Sequence, residues 1–144
     1  KIVGTSDYVR VSELKKQGYH CKEFGLSQQD TVSLDYPDCA GPLAKELSLG
    51  LLEAGIAICG TGIGMAIIAN KYKGVRAASV WNEKVAKLSR QHNDANFLCL
   101  GARELSQDKI LQIVSVWLTT SFEEGRHKTR VDKIRAVESQ NFRA

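Results

Sequence analysis

The sequence predicts an α/β fold: a Rossmann-like, three-layer α/β/α arrangement around a five-stranded, mostly parallel sheet. Three observations predict it. Apolar runs of four to six residues alternate with longer segments at helical spacing. Two of those segments, AGPLAKELSLGLLEA and SQDKILQIVSVWLTTSF, carry clear apolar faces. No repeat, low-complexity tract or linker divides the 144 residues, so residues 1–144 are expected to form one domain with a real core.

Taken in order, KIV opens a first strand, and Tyr19 to Phe24 (YHCKEF) alternates weakly into a second strand that ends at Gly25. GLSQQDTVSLDYPDC reads as a loop, with a helix start near Pro37 or Asp38. That helix is expected to carry Leu43, Leu47, Leu51 and Leu52 on its apolar face. GIAIC is a short buried strand, and MAIIANKY a helix beyond the glycines that follow it. GVRAASV is a strand, and NEKVAKLSRQHN a helix capped by Asn82 with Glu83 in its first turn. NFLCLG is the fifth strand. Ser106 caps the next helix, which buries Ile110, Ile113, Val114 and Trp117, and TRVDKIRAVESQ is a final helix exposed on one side.

Composition excludes several classes. Apolar content of 43% with 25% charged residues is ordinary for a soluble globular protein. The net charge of +4 is mild, and no basic stripe interleaved with aromatics suggests a nucleic-acid partner. No apolar run approaches the ~20 residues that cross a bilayer. No signal peptide is visible, so a cytoplasmic location without a membrane partner is expected. Cys21, Cys39, Cys59 and Cys99 lie 18, 20 and 40 residues apart, which matches no zinc pattern and no disulfide framework. A cysteine in such a core is ordinarily a small buried hydrophobe.

Cys59 departs from that expectation through its neighbours. ICGTGIGMAIIANK places Gly60, Gly62 and Gly64 directly after Cys59, between a strand and a helix. In open α/β sheets ligands sit at the carboxyl ends of strands. A helix start there offers N–H groups to negative charge, and glycine lets the backbone approach closely. Thr61 adds a hydroxyl. The G-x-G-x-G spacing misses the dinucleotide fingerprint by one residue, and no phosphate-loop G-x-x-x-x-G-K-[ST] exists in the chain. Tight strand-to-helix packing alone could explain a glycine-rich turn. A thiol at that turn is a different matter: its thiolate is stabilised, and it stands beside preorganised donors. The pair suits chemistry through an oxyanion, either acyl transfer or enolisation beside a carbonyl.

Two further constellations follow. RQHNDANFLCLGAR sets His92 and Asn93 just before the fifth strand and Arg103 just after it. In EGRHKTR, Arg126 and Arg130 stand four apart on one helical face with His127 between them, a pairing suited to a phosphate dianion.

With SLDYPDCA, ICGTGIGMAIIANKYKGVRAA, LSRQHNDANFLCLGAR and EGRHKTRVDKI assembled, the chain strongly resembles the RpiB/LacAB sugar-phosphate isomerases from Asp35 to about Glu138. The resemblance implies an aldose–ketose isomerisation through a cis-enediolate with no metal and no cofactor, ribose 5-phosphate and ribulose 5-phosphate being the leading pair. It implies Cys59 as the base that moves the proton between C1 and C2. Gly60, Thr61, Gly62, Ile63 and Gly64 would hold the enediolate oxygen. His92 would open the furanose ring, Asn93 would bond the sugar, and Arg126 and Arg130 with Arg103 would hold the phosphate. It also implies a homodimer or tetramer with shared active sites, the C-terminal helix (about 126–140) packing on a neighbouring subunit.

The N-terminus departs from the family pattern. An Asp-His pair that binds substrate is expected after the first strand, but Tyr8 follows Asp7 here. The segment from Asp7 to Gly18 is also about seven residues shorter than a family member's, near the minimum for a parallel crossover. Either part of that substrate-binding edge is lost or residues are omitted, and the otherwise intact site favours omission. Rival readings are an isomerase of galactose 6-phosphate or allose 6-phosphate, a non-catalytic sugar-phosphate binder, and a thiol acyl transferase. Retention of both Cys59 and His92 argues against a mere binder.

Overall fold

The computed structural model describes residues 1–6, 9–25 and 34–142. The chain runs β1 (Ile2–Thr5), α1 (Val11–Lys16), β2 (His20–Glu23), α2 (Tyr36–Ser48), β3 (Ala54–Cys59), α3 (Ile63–Ala69), β4 (Ala77–Ser79), α4 (Glu83–Asn93), β5 (Phe97–Gly101), α5 (Gln107–Thr119) and α6 (Arg126–Asn141). The five strands pair in the order β2-β1-β3-β5-β4, all parallel. The expected fold class is therefore the observed one.

Strand alternation divides the core between two faces. Ile56 and Ile58 of β3 and Leu98 and Leu100 of β5 pack under α1, α4 and α5, with Leu14, Ala86, Ile113 and Trp117. Ala57, Phe97 and Cys99 point the other way, into α2 and α3, against Leu43, Ala44, Met65 and Ala69. A sheet covered on both faces explains why its central strands read as unbroken apolar runs. Ile110, Ile113, Val114 and Trp117 are each at most 2% exposed. The caps also form as expected: Asn82 accepts from Val85 N at 2.8 Å and Ser106 from Lys109 N at 3.2 Å.

Several boundaries differ. α2 starts at Tyr36 and stops at Ser48, because Gly50 takes a left-handed φ of +77° and turns the chain. Leu51 therefore leaves the helix and is exposed, while Leu52 reaches the core. β4 shrinks to three residues. The short crossover from β1 to β2 closes through a six-residue α1 that buries Leu14.

Chain direction decides where the chemistry can sit. β3 and β5 run side by side from Gly55–Phe97 to Cys59–Gly101. Helices return antiparallel to the strands, so α4 ends beside the start of β5 and α6 begins there too. The five residues of β5 rise about 13 Å at ~3.3 Å per residue, which separates the two ends of the sheet.

Candidate active site

The upper end, at the carboxyl termini of the strands, holds Cys59 and the glycine turn. Gly62 N–H donates to Cys59 Sγ at 3.1 Å, and Gly62 has a φ of +82° that an L side chain rarely adopts. A Cβ on Gly62 would also lie 3.0 Å from the Leu100 carbonyl carbon. Gly101 is equally constrained, since a Cβ there would meet the Thr61 backbone at 2.8 Å. These two glycines let the turn lie close on the end of β5, with the Gly62 N–H aimed at the sulfur. The leading N–H groups of α3, from Ile63 and Gly64, have no preceding turn of helix to bond to. Thr61 is exposed, and its Oγ1 accepts from Ile63 N at 3.3 Å.

Arg103 belongs to this upper half. Its backbone N–H donates to Gly60 O at 3.1 Å, and its guanidinium side chain lies 3.0 Å from where a Cβ of Gly60 would stand. Tyr36 joins it from the first turn of α2: its ring covers Gly64, whose Cβ would sit 2.7 Å from the ring. Tyr36 was not among the site residues expected from sequence. No local pattern in the sequence points to it, because its partner Gly64 lies on another helix.

The other three cysteines are poor competitors for chemistry. Cys99 is fully buried, and burial pushes its thiol far up; Cys21 is also raised by burial. Cys39 is buried and donates to Phe24 O at 3.5 Å. Cys59 is partly exposed.

The lower end holds the second half. His92 stacks on His127, with ring centroids 4.1 Å apart and planes 11° from parallel. Asn93 is exposed on the last residue of α4. Asp94 takes a left-handed φ of 47° and receives Arg76 and Arg90, each at 3.2 Å, with Arg135 of α6 at 3.8 Å. This cluster ties α6 to the end of α4 and fixes the His92–Asn93 pair. Arg126 and Arg130 are exposed at the start of α6, and among the described residues no carboxylate pairs with them or with Arg103. The buried His127 imidazole is held below its ordinary pKa, by burial first and then by the nearby charges of His92 and Arg126.

The structure thus gathers Cys59, Gly60, Thr61, Gly62, Ile63, Gly64 and Arg103 at one end of the sheet. It gathers His92, Asn93, Arg126 and Arg130 at the other. One chain does not bring the halves together. Asp7, and Tyr8 beside it, lie outside the described residues. No helix among the described residues is long and apolar enough to cross a membrane.

A parallel sheet with a thiol in a glycine turn at one strand end and a His-Asn pair at the other defines an α/β protein with a candidate catalytic site. The chain belongs to the ribose/galactose isomerase family, whose model matches residues 8–134. It is 43% identical to the ribose-5-phosphate isomerase B of Escherichia coli (strain K12), over 90% of this chain and 86% of that protein. Among solved structures, the Clostridium thermocellum ribose-5-phosphate isomerase B superposes with a TM-score of 0.88 at 42% identity, covering 96% of this chain and 97% of that one. The Mycoplasma genitalium ribose-5-phosphate isomerase B, solved with bound ribulose-5-phosphate, gives 0.87 at 38% identity with 97% of each chain covered.

Proposed function

We propose that this protein interconverts ribose 5-phosphate and ribulose 5-phosphate, in an active site that two copies of the chain complete together. The chemistry rests on one observation: the Cys59 sulfur sits within 3.1 Å of the Gly62 N–H, in a turn built to hold negative charge. The Cys59 thiolate takes the proton from C2 of the open-chain aldose. The electrons move onto the carbonyl oxygen at C1, giving a cis-enediolate held by the N–H groups of residues 60–64. Cys59 then returns the proton to C1, and the O2 proton moves to O1, leaving the ketose. Before this, His92 takes the proton of the anomeric hydroxyl and supplies one to the ring oxygen as the C1–O bond opens. Asn93 bonds the sugar, and Arg126, Arg130 and Arg103 clamp the phosphate.

His92 and Cys59 lie at opposite ends of one subunit, so they meet only between subunits. A two-fold axis across the strands sets the lower end of one copy against the upper end of the other. The surface agrees with such an arrangement. Ile63 and Ile67 of α3 are 56% and 59% exposed, and Ile134 and Val137 of α6 are 49% and 56% exposed. The last two border a groove of about 450 Å³ that also reaches Asn93. The α6 helix therefore carries the clamp to the neighbouring subunit's thiol.

Two measurements bear on this reading. Turnover of ribose 5-phosphate should exceed that of galactose 6-phosphate or allose 6-phosphate by about tenfold or more, since one extra carbon shifts the phosphate away from its clamp. Preference for a six-carbon substrate would overturn the assignment. Arg126→Ala or Arg130→Ala should raise KM by roughly ten- to a hundredfold through loss of a charge-assisted contact. An unchanged KM in both variants would place the phosphate elsewhere.

A further inference from the structure

Isomerisation leaves part of the lower end unexplained. His92, Glu123 and His127 present ligand atoms that all lie within 4.8 Å of one another. They come from three places: the last turn of α4, the loop between α5 and α6, and the first turn of α6. Two imidazoles and a carboxylate form a donor set that suits borderline-soft transition ions. We propose that this cluster binds a divalent transition-metal ion of the Zn²⁺ type, and that the bound ion withdraws His92 from ring opening. The second clause rests on the role given to His92 above; the binding does not.

The cluster stands on a fixed frame. Glu123 N–H donates to Gln91 O at 3.1 Å, which pins the loop beside His92. Glu124 and Gly125 both have positive φ, 63° and 56°, and the turn they make places His127 over His92. His127 Nε2 is 3.5 Å from Glu123 Oε2. Donors around a tetrahedral ion at ~2.1 Å stand about 3.4 Å apart, so ligand atoms that lie within 4.8 Å of one another have to close by at most about 1.4 Å. The stacked rings must splay for both lone pairs to converge. His92 and Glu123, which are less buried than His127, can turn to allow it. The neighbouring Arg126 and Arg130 oppose a cation and Glu123 favours one, so a reversible site is expected. Mg²⁺ and Ca²⁺ want six or more oxygens, which this cluster does not supply.

The test begins with calorimetric titration of Zn²⁺ alone into the Cys59→Ala protein, so that the reactive thiol contributes nothing. One ion per chain should bind, and adding Glu123→Gln or His127→Asn should weaken binding by about tenfold or more, as loss of one ligand in three requires. Glu123 is exposed, so its substitution leaves the fold intact even where His127→Asn disturbs it. Co²⁺ bound to wild-type protein should show ligand-field bands without thiolate charge transfer. Absence of Zn²⁺ binding, or binding that Glu123→Gln leaves unchanged, overturns the site. In the wild-type enzyme Zn²⁺ should inhibit turnover of ribose 5-phosphate, while Glu123→Gln keeps basal turnover and resists inhibition. Binding as expected with turnover unaffected overturns the withdrawal of His92. A chain inactive on every sugar phosphate would instead count against the isomerase reading, with the calorimetry unmoved.

Discussion

Replacing Cys59 by alanine is expected to lower ribose 5-phosphate turnover by on the order of 10²–10⁴-fold, the range that one positioned base contributes. Binding of a phosphate ligand should change only a few fold, because the substitution leaves the guanidinium groups proposed to hold phosphate, Arg103, Arg126 and Arg130, in place. The substitution removes a partly exposed sulfur at the end of β3 and leaves the strand pairing of Cys59 with Gly101 in place. The fold therefore has no reason to fail. Iodoacetamide makes the same point without a mutation. Cys39 and Cys99 are buried and the Cys21 thiol is raised by burial, so alkylation should reach Cys59 first and stop turnover, with substrate protecting. Near-normal turnover in Cys59→Ala would remove the thiol from the mechanism.

The second large effect concerns His92. His92→Ala should slow ribose 5-phosphate, which must open its ring, by about 10²-fold or more. A four-carbon aldose phosphate is a fair control, because the hydroxyl that would close a five-membered ring carries its phosphate. That substrate should be much less affected. Equal losses on both would mean that His92 serves the fold, through its stack on His127, rather than the chemistry.

Much of this was legible in the sequence because the signals were local. The glycines around Cys59, the capping residues Asn82 and Ser106, and the apolar face of α5 each act within a few residues, and each does what its spacing implies. Arg103 was expected just beyond the fifth strand, and it folds back on Gly60. The C-terminal helix was expected at about 126–140 and spans Arg126–Asn141. The family resemblance implied sites shared between subunits, but the residue types themselves did not convey that the candidate residues fall at two ends of the sheet. His92 and Asn93 are close to Arg103 along the chain, yet a whole strand, β5, carries the chain from one end of the sheet to the other between them. Alternation of parallel strands with returning helices contains that information, but only once strand direction is followed element by element. Tyr36 was missed because its partner, Gly64, is a contact between α2 and α3 that no local pattern encodes. Leu51 was placed on a helix because its spacing continued the apolar face, and Gly50 ended that helix first.

The division of the site is the central claim, and mixing inactive subunits tests it most directly. Cys59→Ala and His92→Ala proteins, each inactive on ribose 5-phosphate, are combined in equal amounts under conditions that let subunits exchange. If the thiol of one chain meets the histidine of the other, each mixed dimer holds one intact site and one doubly damaged site. Random pairing makes half the dimers mixed, so about one quarter of wild-type activity should return. If mass-tagged subunits are seen to exchange and turnover stays at the level of the parent variants, Cys59 and His92 do not meet between subunits, and the composite site is wrong.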